Sequence, residues 1–290
     1  MQSLWMLAAG VAFSLMGVLV KLGAAHFTAA ELAFWRGIVQ MAVSYAVLRH
    51  AGLSIRTTRF GMHVHRGIAG FVSLFMFFYS LTVLTVATAM TLNYTSPLFL
   101  AILLAVLARE RPGAKLVATV LLGFAGALLV LRPTLHAEQL YGGLIGLASG
   151  AISAVAYWNV RELVQADEPE GRVVFYFAMF VSLGSFVWMV PQEWHAVTLE
   201  NVWLLVGVGV TGTLGQLAMT RAYGKGKTLV TAALSYSGIV FSSIIGIAFL
   251  GDTVGWASWL GMALIVAAGT IAVQLRPGGR KEPAPVVTND

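Results

Sequence analysis

Arg36 carries the sharpest chemical meaning in this chain, because it lies inside an otherwise apolar run, Leu32-Ala33-Phe34-Trp35-Arg36-Gly37-Ile38. It sits about six residues into a hydrophobic stretch that starts near Ala30, roughly 9 Å along a helix. A charged side chain at membrane depth is expensive and faces a protein interior, a partner or a water-filled cavity. A guanidinium held there suits a carboxylate or phosphate, because its planar fork can donate two hydrogen bonds at once. Two other uses stay open on sequence grounds: an ion pair with Glu31, or snorkelling of the long side chain to the outer surface. A second constellation is Asn93-Tyr94-Thr95-Ser96-Pro97, four polar side chains and a proline in mid-run. Proline removes a backbone donor, and the freed carbonyl needs another partner inside a bilayer. Ser235-Tyr236-Ser237-Gly238 repeats the theme 142 residues later. Such matched polar interruptions point to a solute site, although Ser and Thr also serve as plain interhelical glue. Gln216 lies among Thr211, Thr213 and Thr220 and either reaches a solute or bonds a neighbouring helix. Aromatics inside the apolar runs, Phe75, Phe78, Tyr79, Tyr157 and Trp158, serve as packing or as walls for apolar or cationic ligands. The candidate solute contacts are therefore Arg36, Tyr79, Asn93, Tyr94, Trp158, Gln216, Ser235 and Tyr236.

The elements that position these residues must be membrane helices. Of 290 residues, 58% are hydrophobic and 10% charged, and mean hydropathy is +0.83. A soluble domain carries about 25% charged residues, so this chain cannot clothe a water-soluble globule. Apolar runs of spanning length fall at 3–22, 30–48, 66–84, 87–108, 114–132, 141–161, 172–191, 201–221, 228–250 and 255–275. Runs such as Leu98 to Leu107 do not alternate, which excludes a barrel. The expected fold is all-α, with ten transmembrane helices. No basic segment precedes the first run, so it is expected to be a retained helix rather than a cleaved leader.

Loop charges set the orientation. Arg49, Arg56, Arg59 and Arg66 follow the second span; Arg109, Arg111 and Lys115 the fourth; Arg161 and Arg172 the sixth; Arg221, Lys225 and Lys227 the eighth; Arg276, Arg280 and Lys281 the tenth. Fifteen of the 18 Lys and Arg thus lie on one side, against Lys21 and Arg132 on the other. By the positive-inside rule both termini face the cytoplasm of an inner membrane. These basic residues sit in short membrane loops, which excludes a nucleic-acid role.

The 142-residue offset also carries Glu110 onto Asp252, and Ala8-Ala9-Gly10 falls near Ala148-Ser149-Gly150. Five spans per half turn the second half over, giving an inverted repeat. The expected units are residues 1–135, residues 140–276 and a disordered cytoplasmic tail at 277–290. Near this offset the counterpart of Arg36 is Phe177, so the charge is not a symmetric packing device.

Enzyme signatures are missing. With no cysteine there is no thiolate metal site, iron–sulfur cluster or thiol nucleophile. The six histidines fall in loops or at span edges, no span holds a carboxylate pair, and no G-x-S-x-G elbow or P-loop appears. Neither a cofactor nor a metal is expected. Glu31, Glu110, Glu162 and Asp252 all lie near span ends, which leaves exchange or facilitated transport as open as proton coupling.

The chain resembles the drug/metabolite transporter superfamily, of the ten-helix EamA type. The resemblance is carried by Glu31-Leu32-Ala33-Phe34-Trp35-Arg36, by Phe78-Tyr79-Ser80, and by Tyr94 to Pro97 with Glu110. Arg221-Ala222-Tyr223, Ala233 to Tyr236 and Leu250-Gly251-Asp252 continue it, with Gly123, Gly126, Gly261 and Gly269. It implies that spans 1, 3, 4, 6, 8 and 9 line a central cavity and that spans 5 and 10 are peripheral. The function expected is a secondary transporter, exporting a small polar metabolite such as an amino acid or organic carboxylate by alternating access. A channel-like facilitator, a multidrug or cationic-metabolite exporter, a lipid-acting enzyme and a receptor remain as alternatives.

Overall fold

The computed structural model describes residues 1–84, 86–107, 113–131, 139–250 and 255–275. Glu110, Asp252, the tail 277–290 and the side chain of Phe78, all singled out above, lie outside the described residues. After a single 3-10 turn, the described residues form α-helices and no strand. These are α1 (Trp5–Gly23), α2 (Ala29–His50), α3 (Phe60–Val83), α4 (Val86–Asn93), α5 (Ser96–Val106), α6 (Ala114–Leu131), α7 (Leu140–Gln165), α8 (Glu170–Met189), α9 (Val202–Lys225), α10 (Thr228–Ser235), α11 (Ser237–Leu250) and α12 (Trp256–Gln274). Among the described residues, eight stretches are long and apolar enough to cross a membrane. They are α1, α4 with α5, α6, α7, α8, α9, α10 with α11, and α12. α2 and α3 have 22 and 24 residues, also of spanning length, and they carry Glu31, Arg36 and Arg66.

Both polar interruptions break a helix where the sequence places them. Between α4 and α5, Thr95 N–H bonds Leu92 O, three residues back, and the Thr95 hydroxyl donates to the same carbonyl. Pro97 then stands in the first turn of α5, where its missing donor costs least. α10 and α11 part at Tyr236, with the hydroxyls of Ser235 and Ser237 donating to Ala232 O and Leu234 O. Side-chain hydroxyls thus satisfy carbonyls that bilayer hydrocarbon could not.

α3 begins at Phe60, six residues before the expected start of its span. Its first turn contains polar groups that find partners at the α7–α8 connection. The buried His63 ring faces the Glu168 carboxylate at 3.3 Å and packs on Tyr176 with centroids 4.4 Å apart. His63 and Arg66 are therefore not loop residues, as the hydropathy pattern suggested; both are buried in a helix. Elsewhere, α2 opens with a capping box in which Thr28 and Glu31 bond each other's backbone N–H. Glu31 also accepts from His195 N at 2.6 Å, tying the α8–α9 connection to the start of α2.

Helix pairing is reciprocal. α1 packs along α9 as α3 packs along α7, and α1 meets α11 as α7 meets α5. α2 packs on α8 and α6 on α12. At the α6–α12 crossing a Cβ on Gly126 would lie 2.7 Å from Gly261 O, and one on Gly261 2.6 Å from Gly126 O. Only residues without a Cβ let these backbones touch. The α7 stripe Gly142, Gly146, Gly150 does the same against the end of α3 and the α4 break.

Candidate functional site

α1, α2, α3, α4, α7, α8 and α9 surround an interior cavity of about 320 Å³. α3 contributes a continuous face, with Arg66, Gly70, Ser73, Leu74 and Phe77 recurring at helical spacing. Opposite and beside it stand Phe13 and Met16 of α1, Arg36 of α2, and Gln216 and Met219 of α9. Asn93 and Tyr94 enter from the α4 break, Ser153 and Tyr157 from α7, and Phe177 from α8.

Arg36 reaches the cavity over a glycine. A Cβ on Gly212 of α9 would lie 2.9 Å from Arg36 Nε and 3.0 Å from Met16 Sδ. Arg36 neither pairs with Glu31 nor snorkels to the outer surface: the Glu31 carboxylate is held by Thr28 and His195, and the guanidinium lies on the cavity wall. Arg36 Nε is buried with no hydrogen-bond partner. Arg66 is only 2% exposed, and its Nε and one terminal nitrogen are also buried without partners. Its guanidinium lies 4.1 Å from the centroid of the Phe177 ring and rests where Gly70 lacks a side chain. Two cations thus line one cavity, and among the described residues no Asp or Glu lines it.

A polar network forms the neighbouring wall. Ser73 Oγ pairs with Ser153 Oγ at 2.5 Å and donates to Ser149 O at 3.0 Å. Asn93 Nδ2 donates to Ser149 Oγ at 3.1 Å and to Ser153 Oγ at 3.4 Å. The Asn93 amide is therefore oriented by α7, while the residue lines the cavity. Tyr157 stacks on the buried Tyr223 of α9, with centroids 4.7 Å apart and planes 10° off parallel. Beyond it Val164 fills the space over Gly224, so α7 and α9 seal one end of the cavity. The corresponding helices α1 and α3 make no comparable contact among the described residues.

The structure brings Arg36, Asn93, Tyr94 and Gln216 together on this wall. It places the other four candidates elsewhere. Tyr79 is 38% exposed and meets Tyr141 edge-on, one helix face away from Phe77. Trp158 lies under the Arg161 guanidinium at 5.1 Å. The Ser235 hydroxyl donates to Ala232 O, and Tyr236 is fully buried between Tyr94 and Phe124. Arg66 is the cavity residue that hydropathy counts with the loop charges, because it stands at the very edge of its apolar run. The spacing Arg66, Gly70, Ser73, Phe77 could have exposed it as the polar end of a helical stripe.

Outside the membrane core, Glu168 joins the α7–α8 connection to the loop before α3. It accepts from Thr57, from Arg172 NH1 at 2.9 Å and from the His63 ring. Burial raises the Glu168 carboxyl, but hydrogen bonds from Thr57, Arg172 and His63 outweigh it and hold the group below its ordinary value.

Comparison with known proteins agrees with this architecture. A model of the EamA-like transporter family matches residues 1–132 and 140–273. The Pseudopaline exporter CntI of Pseudomonas aeruginosa is 29% identical over 271 residues, covering 91% of this chain and 90% of that protein. A riboflavin transporter of Vibrio cholerae is 28% identical over 273 residues, covering 91% and 90%. An S-adenosylmethionine uptake transporter of Rickettsia bellii is 25% identical over 241 residues, covering 83% and 82%. A solved crystal structure superposes with a TM-score of 0.83 at 22% identity, covering 93% of this chain and 96% of that one, a likeness of fold. The helices of spanning length, the polar-lined cavity among them and the match over both halves have one reading: the chain belongs to the EamA-like transporter family and is a multi-pass membrane transporter.

Proposed function

We propose that the protein is a secondary transporter of the cytoplasmic membrane that exports a small polar metabolite bearing a carboxylate, working by alternating access. The observation that carries this reading is Arg36 on the cavity wall, its Nε buried and without a partner. Asn93, Tyr94 and Gln216 would complete the contacts around the solute. In this reading α2 and α3 also cross the membrane, giving ten spans with both termini cytoplasmic. Residues 1–135 and 140–276 are then inverted five-helix halves, and the reciprocal pairings α1–α9 with α3–α7 support that division.

Alternation needs the cavity closed at one end. The Tyr157–Tyr223 stack lies toward the C-terminal ends of α7 and α9, beside the basic residues that mark the cytoplasmic side. That closure favours a carrier over a channel-like facilitator, and two cavity cations disfavour an exporter of cationic drugs. The test is solute counterflow in proteoliposomes, with a panel of amino acids, organic acids and quaternary amines. A carrier of anions gives saturable, trans-stimulated uptake of a carboxylate that Arg36→Gln abolishes. Uptake that neither saturates nor responds to trans solute would establish a facilitator instead.

A further inference from the structure

Resting on the carrier reading of this cavity, we propose that its solute is a small dianion, held by Arg36 and Arg66 together. The two guanidinium groups come from consecutive helices, α2 and α3, and line one cavity. Neither takes part in an ion pair among the described residues. The described carboxylates that form ion pairs are committed elsewhere: Glu31 to His195, Glu168 to His63 and Arg172, and Glu170 to Lys225. Three nitrogens, Arg36 Nε with Arg66 Nε and NH1, are buried and unsatisfied.

The Arg66 position is built rather than incidental. Phe177 supports the flat face of its guanidinium, and Gly70 leaves room for it. Two like charges in a low-dielectric interior repel each other and lose hydration, a cost that only compensating negative charge removes. A monoanion would leave one guanidinium uncompensated. An amino acid would add an ammonium group with no carboxylate in the wall to meet it. A solute with charge of about −2 neutralises both cations and offers acceptors to the two guanidinium groups. Two carboxylates on a short carbon chain, or one phosphate monoester, present this chemistry.

The experiment measures binding by thermal stabilisation of the detergent-purified protein, with succinate, glycerol 3-phosphate, butyrate, alanine and choline as probes. A dianion is expected to stabilise the protein at concentrations where butyrate, alanine and choline do not. Succinate alone responding assigns two separated carboxylates, and glycerol 3-phosphate alone a phosphate. Arg66→Gln should weaken the dianion by roughly 30-fold or more while leaving butyrate unchanged. Arg66→Lys, which keeps the charge but loses the fork, should retain the preference for dianions, and it replaces Arg66→Gln if that variant does not purify folded. Butyrate or alanine stabilising as well as either dianion, silence with both dianions, or indifference of the dianion to Arg66→Gln would each overturn the inference. Counterflow separates the two readings. Saturable exchange of a monoanion that needs Arg36 but not Arg66 retains the carrier and discards the dianion. Stabilisation by a dianion with no counterflow of any probe retains the site and discards the carrier.

Discussion

Substituting Gly212 by Ala would test whether Arg36 holds solute, without removing the arginine. The new Cβ would lie 2.9 Å from Arg36 Nε and 3.0 Å from Met16 Sδ. Ordinary contact needs about 3.5 Å, so the overlap is about 0.6 Å and the guanidinium must move by a comparable distance. Charge-assisted hydrogen bonds have their optimum near 2.7–2.9 Å, and a shift of that size forfeits part of one or two of them. The expected loss is about 1–2 kcal/mol of binding, or roughly 5- to 30-fold in Kd, with the arginine still present. Gly17→Ala serves as the control, because nothing lies within 4 Å of its added Cβ. It should leave affinity unchanged and raise helix stability by up to about 1 kcal/mol. The assay is calorimetric titration of purified protein with the anion that scores in counterflow, beside thermal unfolding without solute. Unchanged affinity in Gly212→Ala, with unfolding also unchanged, would refute the assignment of Arg36 to the solute.

Three further outcomes are expected. Gly261→Val places a branched side chain where a Cβ alone would lie 2.6 Å from Gly126 O, so α12 must leave α6; thermal unfolding should show a loss of about 1–3 kcal/mol, and Gly126→Val should match it. Asn93→Leu strips the donor that Ser149 and Ser153 accept from, and counterflow should show a raised KM with the protein still folded. The Glu168 carboxyl, held below its ordinary 4.5, contributes stability that is complete above that pH and is lost as pH falls below it. Melting temperature followed from neutral pH downwards should drop there, and Glu168→Gln should lower the plateau and flatten the drop.

Arg36, Asn93, Tyr94 and Gln216 were legible in the sequence because a polar residue inside an apolar run has few places to go. The two helix breaks were legible for the same reason, from Pro97 and from the paired Ser-Tyr-Ser segment. What hydropathy did not supply was helical phase. In spans that are apolar nearly all round, no stripe marks the inner face, and one residue is worth about 100° of rotation. Tyr79 therefore points away from the wall that Phe77 joins, and Trp158 away from the one that Tyr157 joins. Tyr236 occupies the place matching Tyr94, yet it is buried behind Tyr94 rather than beside the cavity. A repeat in sequence gives the shape of the break, not which of the two copies lines the cavity. Arg66 was hidden by the opposite effect. The α7–α8 connection, through Glu168, gives the polar first turn of α3 its partners, so the helix starts earlier than its apolar run.

The most direct test of a carrier uses the absence of native cysteine, which makes any introduced thiol the only one. Met16→Cys on the cavity wall would be labelled by a membrane-impermeant maleimide, applied to either face of oriented proteoliposomes. The expected result is labelling from one face at a time, with the anion that scores in counterflow shifting reactivity toward the other face. Simultaneous labelling from both faces, or reactivity that the anion leaves unmoved, would contradict alternating access at this cavity.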